Sequence, residues 1–178
     1  MVCMTNVFLK IMSTNKKIIN AEQVSQDNIK FRSKSERMMY NTLVSLGFSP
    51  EFEAEKFVIW QGFTPSSPLY IDGVPQLTKT RKKDSSPKIP KFTDWHYTPD
   101  FKLTLGKSIF YIECKGFGND IWSYKRKLFL KTIEGVPFVH FFEVHTKRGL
   151  LKTVEIINSI YERENTCRED NGNDKHSS

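Results

Sequence analysis

The sequence predicts an α/β protein in the order α-β-β-β-α-β-α, a mixed sheet flanked by helices, and three observations predict it. Apolar residues recur at helical spacing after Ser33, two strand-like runs flank the turn-rich junction Gly106-Lys107-Ser108, and a helix, a strand and a second helix alternate from there to Tyr161. Such alternation puts helices against the faces of a sheet.

Taken in order, residues 1 to 30 mix Asn, Ser, Thr and Lys with scattered apolar positions and are expected to form a partly ordered arm. Within it Val7 to Met12 is apolar, but Lys10 interrupts it and Asn15, Lys16 and Lys17 follow in place of a cleavage site, which argues against secretion. The first helix begins near Ser33, carries Met39, Tyr40, Leu43 and Leu46 at helical spacing, and stops at Gly47. Phe57 to Trp60 reads as a buried strand. The stretch from Gln61 to Tyr97 holds Pro65, Pro68, Pro75, Pro87 and Pro90 and reads as a long insertion loop, a kind that is usually functional or disordered.

Phe101 to Leu105 and Ile109 to Lys115 then suit a β-hairpin. Asn119 or Asp120 caps a helix to about Ile133, closed by Gly135 with Pro137 beyond it. Val136 to Val144 reads as a further buried strand, and Leu151 to Tyr161 as an amphipathic helix with Val154, Ile157 and Tyr161 on one side. The polar end buries too little to fold, so the domain is expected to span residues 31–162, with a disordered tail at 163–178.

A chain of 178 residues can bury one core without disulfide or zinc, so one functional unit is sought. Mean hydropathy is −0.46, and no uncharged apolar run approaches the roughly 18 residues of a membrane span. Cys3, Cys114 and Cys167 form no C-x-x-C pair, which points to a reducing compartment, the cytoplasm. Net charge is +7, and the segment from Lys79 to Lys91 carries six cations (Lys79, Arg81, Lys82, Lys83, Lys88, Lys91) against Asp84 alone. A polyanionic partner and a solubilising loop both account for that segment.

The chemistry gathers on the hairpin. Residues two apart in a strand face the same way, so Glu113 and Lys115 share a face with Ile109 and Tyr111, while Phe110, Ile112 and Cys114 take the other. A turn about Gly106 and Lys107 sets Asp100 opposite Glu113. Two carboxylates so opposed repel unless a cation lies between them, and a hard divalent ion such as Mg2+ is the expected resolution, with the Cys114 backbone carbonyl as a further ligand. Lys115 beside such an ion can orient or deprotonate the attacking water. Glu36 lies on the core-facing stripe of the first helix, and two readings stand: a member of the site, or the return arm of a capping box, Ser33-Lys34-Ser35-Glu36.

Glu36, then Pro99-Asp100, then Glu113-Cys114-Lys115 on a helix followed by a hairpin resembles the PD-(D/E)XK nuclease superfamily. Within it, Phe31 to Glu36 (FRSKSE), Tyr97 to Phe101 (YTPDF) and Ile112 to Gly116 (IECKG) resemble the corresponding blocks of phage endonuclease I, the Holliday-junction resolvases, and similar blocks occur in transposase subunits and small phage nucleases. The resemblance implies a restriction-endonuclease-like core. It also implies a metal-dependent DNA endonuclease in which Asp100 and Glu113 bind Mg2+, with Mn2+ as a substitute, Lys115 acts at the water and Glu36 completes the site. Branched or duplex DNA is the implied partner and the host-cell cytoplasm the implied location for a phage enzyme. Symmetrical cutting of a junction requires a homodimer, whereas nicking does not. The insertion between Phe63 and Tyr97 is longer than in endonuclease I.

Arg81, Lys82, Lys83, Lys125 and Lys127 are the candidate phosphate contacts, the last two also reading as a solvated helix face. Trp122 and Tyr124 suit either base stacking or the core. His140 and His145, five apart, do not make a metal pair, and His96 lies in another segment. The rival expectation is a nuclease-like fold that binds DNA in nucleoprotein assembly or packaging and does not cut it.

Overall fold

The computed structural model describes residues 24–26, 29–77, 88–116 and 120–169. At its centre is the predicted hairpin, formed by β8 (Phe101–Leu105) and β9 (Ser108–Cys114). Gly106, at φ 59, opens a two-residue loop, the residue a type II′ turn requires at its first position. The ladder runs from Leu105↔Ser108 to Phe101↔Ile112, so one further step faces Asp100 with Glu113, as the sequence predicts.

With β3 (Glu51–Phe52) and β10 (Val139–Val144) this hairpin makes a sheet of order β10-β9-β8-β3. β3 is antiparallel to β8, and β10 is parallel to β9 with Val139↔Ile109 and Glu143↔Glu113. A parallel neighbour needs a crossover, which α2 (Asp120–Ile133) supplies. α1 (Lys34–Ser45) and α3 (Lys147–Glu169) complete a mixed α/β protein with three helices among the described residues. Among the described residues no helix is long and apolar enough to cross a membrane.

Strand alternation divides the apolar residues into two cores. Phe110 and Ile112 of β9 join Phe101, Leu103 and Val144 beneath Met39 and Leu43 of α1 and Leu150, Val154 and Ile157 of α3. On the other face Tyr111 meets Trp122 and Phe129 of α2, together with Ile59 and Tyr97. Phe129 is the hub there, its ring touching those of Phe57, Tyr97, Tyr111 and Phe141.

Several expectations are corrected. Phe57–Trp60, here β4, is not a buried strand of the central sheet: only Ile59 is buried, and the strand pairs antiparallel with β7 (Trp95–Tyr97). β10 is a half-buried edge strand, because β9 covers one side of it and no described strand the other. The insertion is not loop throughout, since it contains β7 and the exposed hairpin β5 (Tyr70–Ile71) to β6 (Val74–Pro75). The end of the expected arm forms the hairpin β1 (Val24–Gln26) to β2 (Ile29–Phe31), and Phe31 is fully buried. The last helix continues past Tyr161 to Glu169, so the part of the tail at 163–169 is helical. Polar residues there extend a helix that has already docked, and Ser108 Oγ donates to Glu164 at 2.6 Å. Arg81, Lys82, Lys83 and the Asn119 cap lie outside the described residues.

Candidate active site

Asp100 stands just before β8 and is 3% exposed, as is Glu113 on β9. The Cys114 backbone N–H donates to Asp100 Oδ2 at 2.7 Å, which pins the carboxylate across the end of the hairpin. Arg32 Nη2 reaches the other oxygen, Oδ1, at 3.0 Å. Glu113 is held at both of its oxygens: the Tyr97 hydroxyl donates to Oε2 at 2.6 Å, and Lys115 Nζ lies 2.6 Å from Oε1. The Lys115 ammonium also sits 4.3 Å above the Trp122 ring, so an apolar wall fixes its direction.

Glu36 is buried as well, and the Ser33 half of the predicted capping box forms. Its backbone N–H donates to Ser33 Oγ at 3.2 Å, and its Oε2 accepts from the backbone N–H of Arg32 at 2.8 Å, one residue before the box position. At the same time it is close enough to raise the pKa of Asp100. The structure therefore brings Glu36, Asp100, Glu113 and Lys115 together.

Three buried acids in one place perturb their neighbours. Burial, then the charge of Glu113, push Asp100 up to about 7, against the opposing pull of the Cys114 N–H and Arg32. The Cys114 thiol rises to about 12 through burial and the charges of Asp100, Glu36 and Glu113. The Tyr97 phenol is driven far above its ordinary range by burial and by Glu113, so it remains a donor. Arg32, despite desolvation, is held more firmly protonated by Glu53, Asp100 and Glu36. The two cations nearest the three acids, Arg32 and Lys115, leave a net negative charge, and Glu53 adds to it.

Several participants were not assigned roles from the sequence. Glu53 Oε1 contacts Arg32 Nη2 at 2.5 Å from a left-handed backbone, φ 47, which costs roughly 1–2 kcal/mol for a residue other than glycine. Glu143 sits beside Glu113 in the parallel register, so Asp100, Glu113 and Glu143 form a rank across three strands. Its carboxylate accepts from Trp122 Nε1 at 2.9 Å and Arg126 Nη1 at 2.7 Å, with His145 Nε2 at 3.2 Å. Burial is the largest influence on Glu143 and raises its pKa, but these hydrogen bonds win and hold it below the ordinary value. No local pattern announces a residue that reaches the site through strand pairing. Tyr97 and Arg32, by contrast, stand in the motif blocks.

The remaining candidates divide. Lys125 is half-buried and Lys127 exposed, both on α2, while Arg126 between them is committed to Glu143. Trp122 is buried and Tyr124 is 62% exposed. His140 stacks on Phe110 with ring centroids 5.0 Å apart, away from the acids.

A metal ion would have to be held by few protein ligands. Among the described residues no three His, Cys, Asp or Glu side chains stand in a metal-binding group. Mg2+ characteristically takes one or two protein carboxylates, the number Asp100 and Glu113 offer, and completes its shell with water and phosphate oxygens. No family model, no curated protein and no solved structure matches this chain.

Proposed function

We propose that the chain is a metal-dependent DNA endonuclease with a restriction-endonuclease-like core, of the kind phages and mobile elements encode, acting in the cytoplasm. The observation that carries this reading is the pair Asp100 and Glu113, both 3% exposed, facing each other across the hairpin with Lys115 beside them. Burying two acids together destabilises a fold, and a structural role does not call for it. Asp100, Glu113 and the Cys114 carbonyl, with Glu36 behind them, would hold Mg2+ or Mn2+, which supplies a water of lowered pKa and neutralises charge on the phosphate.

The chain's own groups account for the remainder. Tyr97 fixes the Glu113 carboxylate through its hydroxyl, and Trp122 directs the Lys115 ammonium. The Lys115 ammonium would orient the attacking water by donating to it. Arg32, its side chain 59% exposed beside Asp100, can reach a substrate phosphate from the solvent side.

The test compares a labelled four-way junction, a flap, a duplex and a single strand as substrates with and without Mg2+. Lys115→Ala is expected to lower the cutting rate roughly 100- to 10,000-fold while remaining folded and bound to DNA. Undiminished cutting by that variant removes the catalytic role. The rival reading, a DNA-binding protein that does not cut, draws on the protein donors already occupying both carboxylates. It predicts salt-sensitive binding and no product with either metal.

A further inference from the structure

Outside the acid rank lies an aromatic groove of about 720 Å³ between the β4–β7 pair and α2. Trp60, Phe63, Phe92, Trp95 and Tyr124 line it with Lys127, and the five aromatic residues are 47% to 62% exposed. So many large rings left in water at one place mark a binding surface.

The groove is built rigidly. Trp60 and Trp95 are paired across the two strands. The Phe92 N–H donates to the Phe63 carbonyl at 2.8 Å, and the rings of these residues lie 5.3 Å apart. Beside them Gly62 donates its N–H to Asp94 Oδ1 at 2.7 Å. A Cβ at Gly62 would fall 2.3 Å from the Phe92 carbonyl oxygen, so only glycine lets the two backbones approach this closely.

The occupant is indicated by charge and position. Lys127 stands in the wall, Lys91 directly precedes Phe92 and Lys88 lies three residues before Lys91, in a chain of net charge +7. A second copy would bring a like charge to the same face, whereas a polyanion complements it. The groove also adjoins the acids. Trp95 and Tyr97 are two residues apart on β7, about 7 Å along a strand, and Tyr97 holds Glu113.

We infer that this groove binds unpaired nucleotides, stacking their bases on its aromatic rings while the lysines track the phosphates, and so feeds a single-stranded stretch of nucleic acid towards Asp100 and Glu113. It deepens the endonuclease reading and rests on it for the placing of the substrate. Bases inside a duplex are already stacked and cannot enter, so the groove selects flaps or single strands.

The experiment measures anisotropy of a labelled oligo-dT of roughly 12 nucleotides, and of a duplex, with the full chain in EDTA, where binding is read apart from cutting. Wild type is expected to prefer oligo-dT and to lose Trp emission on binding it. Tyr124→Ala is expected to weaken oligo-dT binding roughly 5- to 150-fold, with duplex binding unchanged and Tyr124→Phe restoring it. Lys127→Ala is expected to lower the slope of log affinity against log salt by about 0.7. Trp95→Ala, with Trp95→Phe as the folded control, repeats the test on the opposite wall.

Wild-type oligo-dT affinity in both Tyr124→Ala and Trp95→Ala overturns the inference, even if the protein cuts DNA. So does a concentration-dependent dimer that Trp95→Ala abolishes while oligo-dT binding is untouched. Groove-dependent binding without any cutting would retain the groove and reject the nuclease.

Discussion

Replacing Asp100 by asparagine tests the strained acid pair without reference to catalysis. Burial strips water from this carboxyl and Glu113 faces it, so it keeps its proton to about 7 instead of the ordinary 3.8. A proton held more tightly in the folded chain than in the unfolded one means that stability falls as pH rises from about 4 to about 7, and levels off above. The full loss is roughly 4 kcal/mol. Between about pH 5 and pH 8 it is roughly 3 kcal/mol, a fall of roughly 6–12 °C in the unfolding midpoint for a chain of this size.

Other shifted carboxylates do not mask the effect. Glu55, held low chiefly by the Lys102 hydrogen bond, and Glu143 both stay below their ordinary 4.5 and titrate outside that interval. Thermal unfolding at the two pH values reads the slope, which Asp100→Asn should largely flatten whatever its absolute stability. At the higher pH, Ca2+ at about a hundred times its dissociation constant should restore roughly 2.7 kcal/mol to the wild type and little to the variant. A wild-type midpoint that is level between these pH values, or falls equally in Asp100→Asn, refutes the reasoning.

Three further outcomes follow from the packing. Tyr97→Phe removes the hydroxyl donor to Glu113 and should cost about 1–3 kcal/mol in urea unfolding; no loss would mean that water replaces the donor freely. Phe129→Ala empties the centre of the second core and should cost about 3–5 kcal/mol by the same measurement, a smaller value indicating that the four surrounding rings collapse inward. Gly62→Ala forces the Phe92–Asp94 backbone away and should cost about 1–3 kcal/mol while weakening oligo-dT binding; a melting curve like that of the wild type would show that the close approach is dispensable.

What was legible in the sequence is what local geometry decides. The hairpin register follows from a two-residue turn at Gly106, and the common face of Glu113 and Lys115 from the twofold alternation of a strand. The Ser33 cap and the stop at Gly47 are equally local. Even the overlooked β5–β6 hairpin carried a local sign, Asp72-Gly73, both at positive φ.

Tertiary structure decided the rest. Glu143 joins the acids only because β10 lies parallel to β9 in one particular register, and Arg32 reaches Asp100 across 68 residues. The aromatic groove exists because β4 leaves the central sheet to pair with β7, which sets Trp60 beside Trp95. Periodicity tells a residue which way to face along its own strand or helix. Its neighbour across space is chosen by the burial and pairing of the whole chain, which no short segment contains.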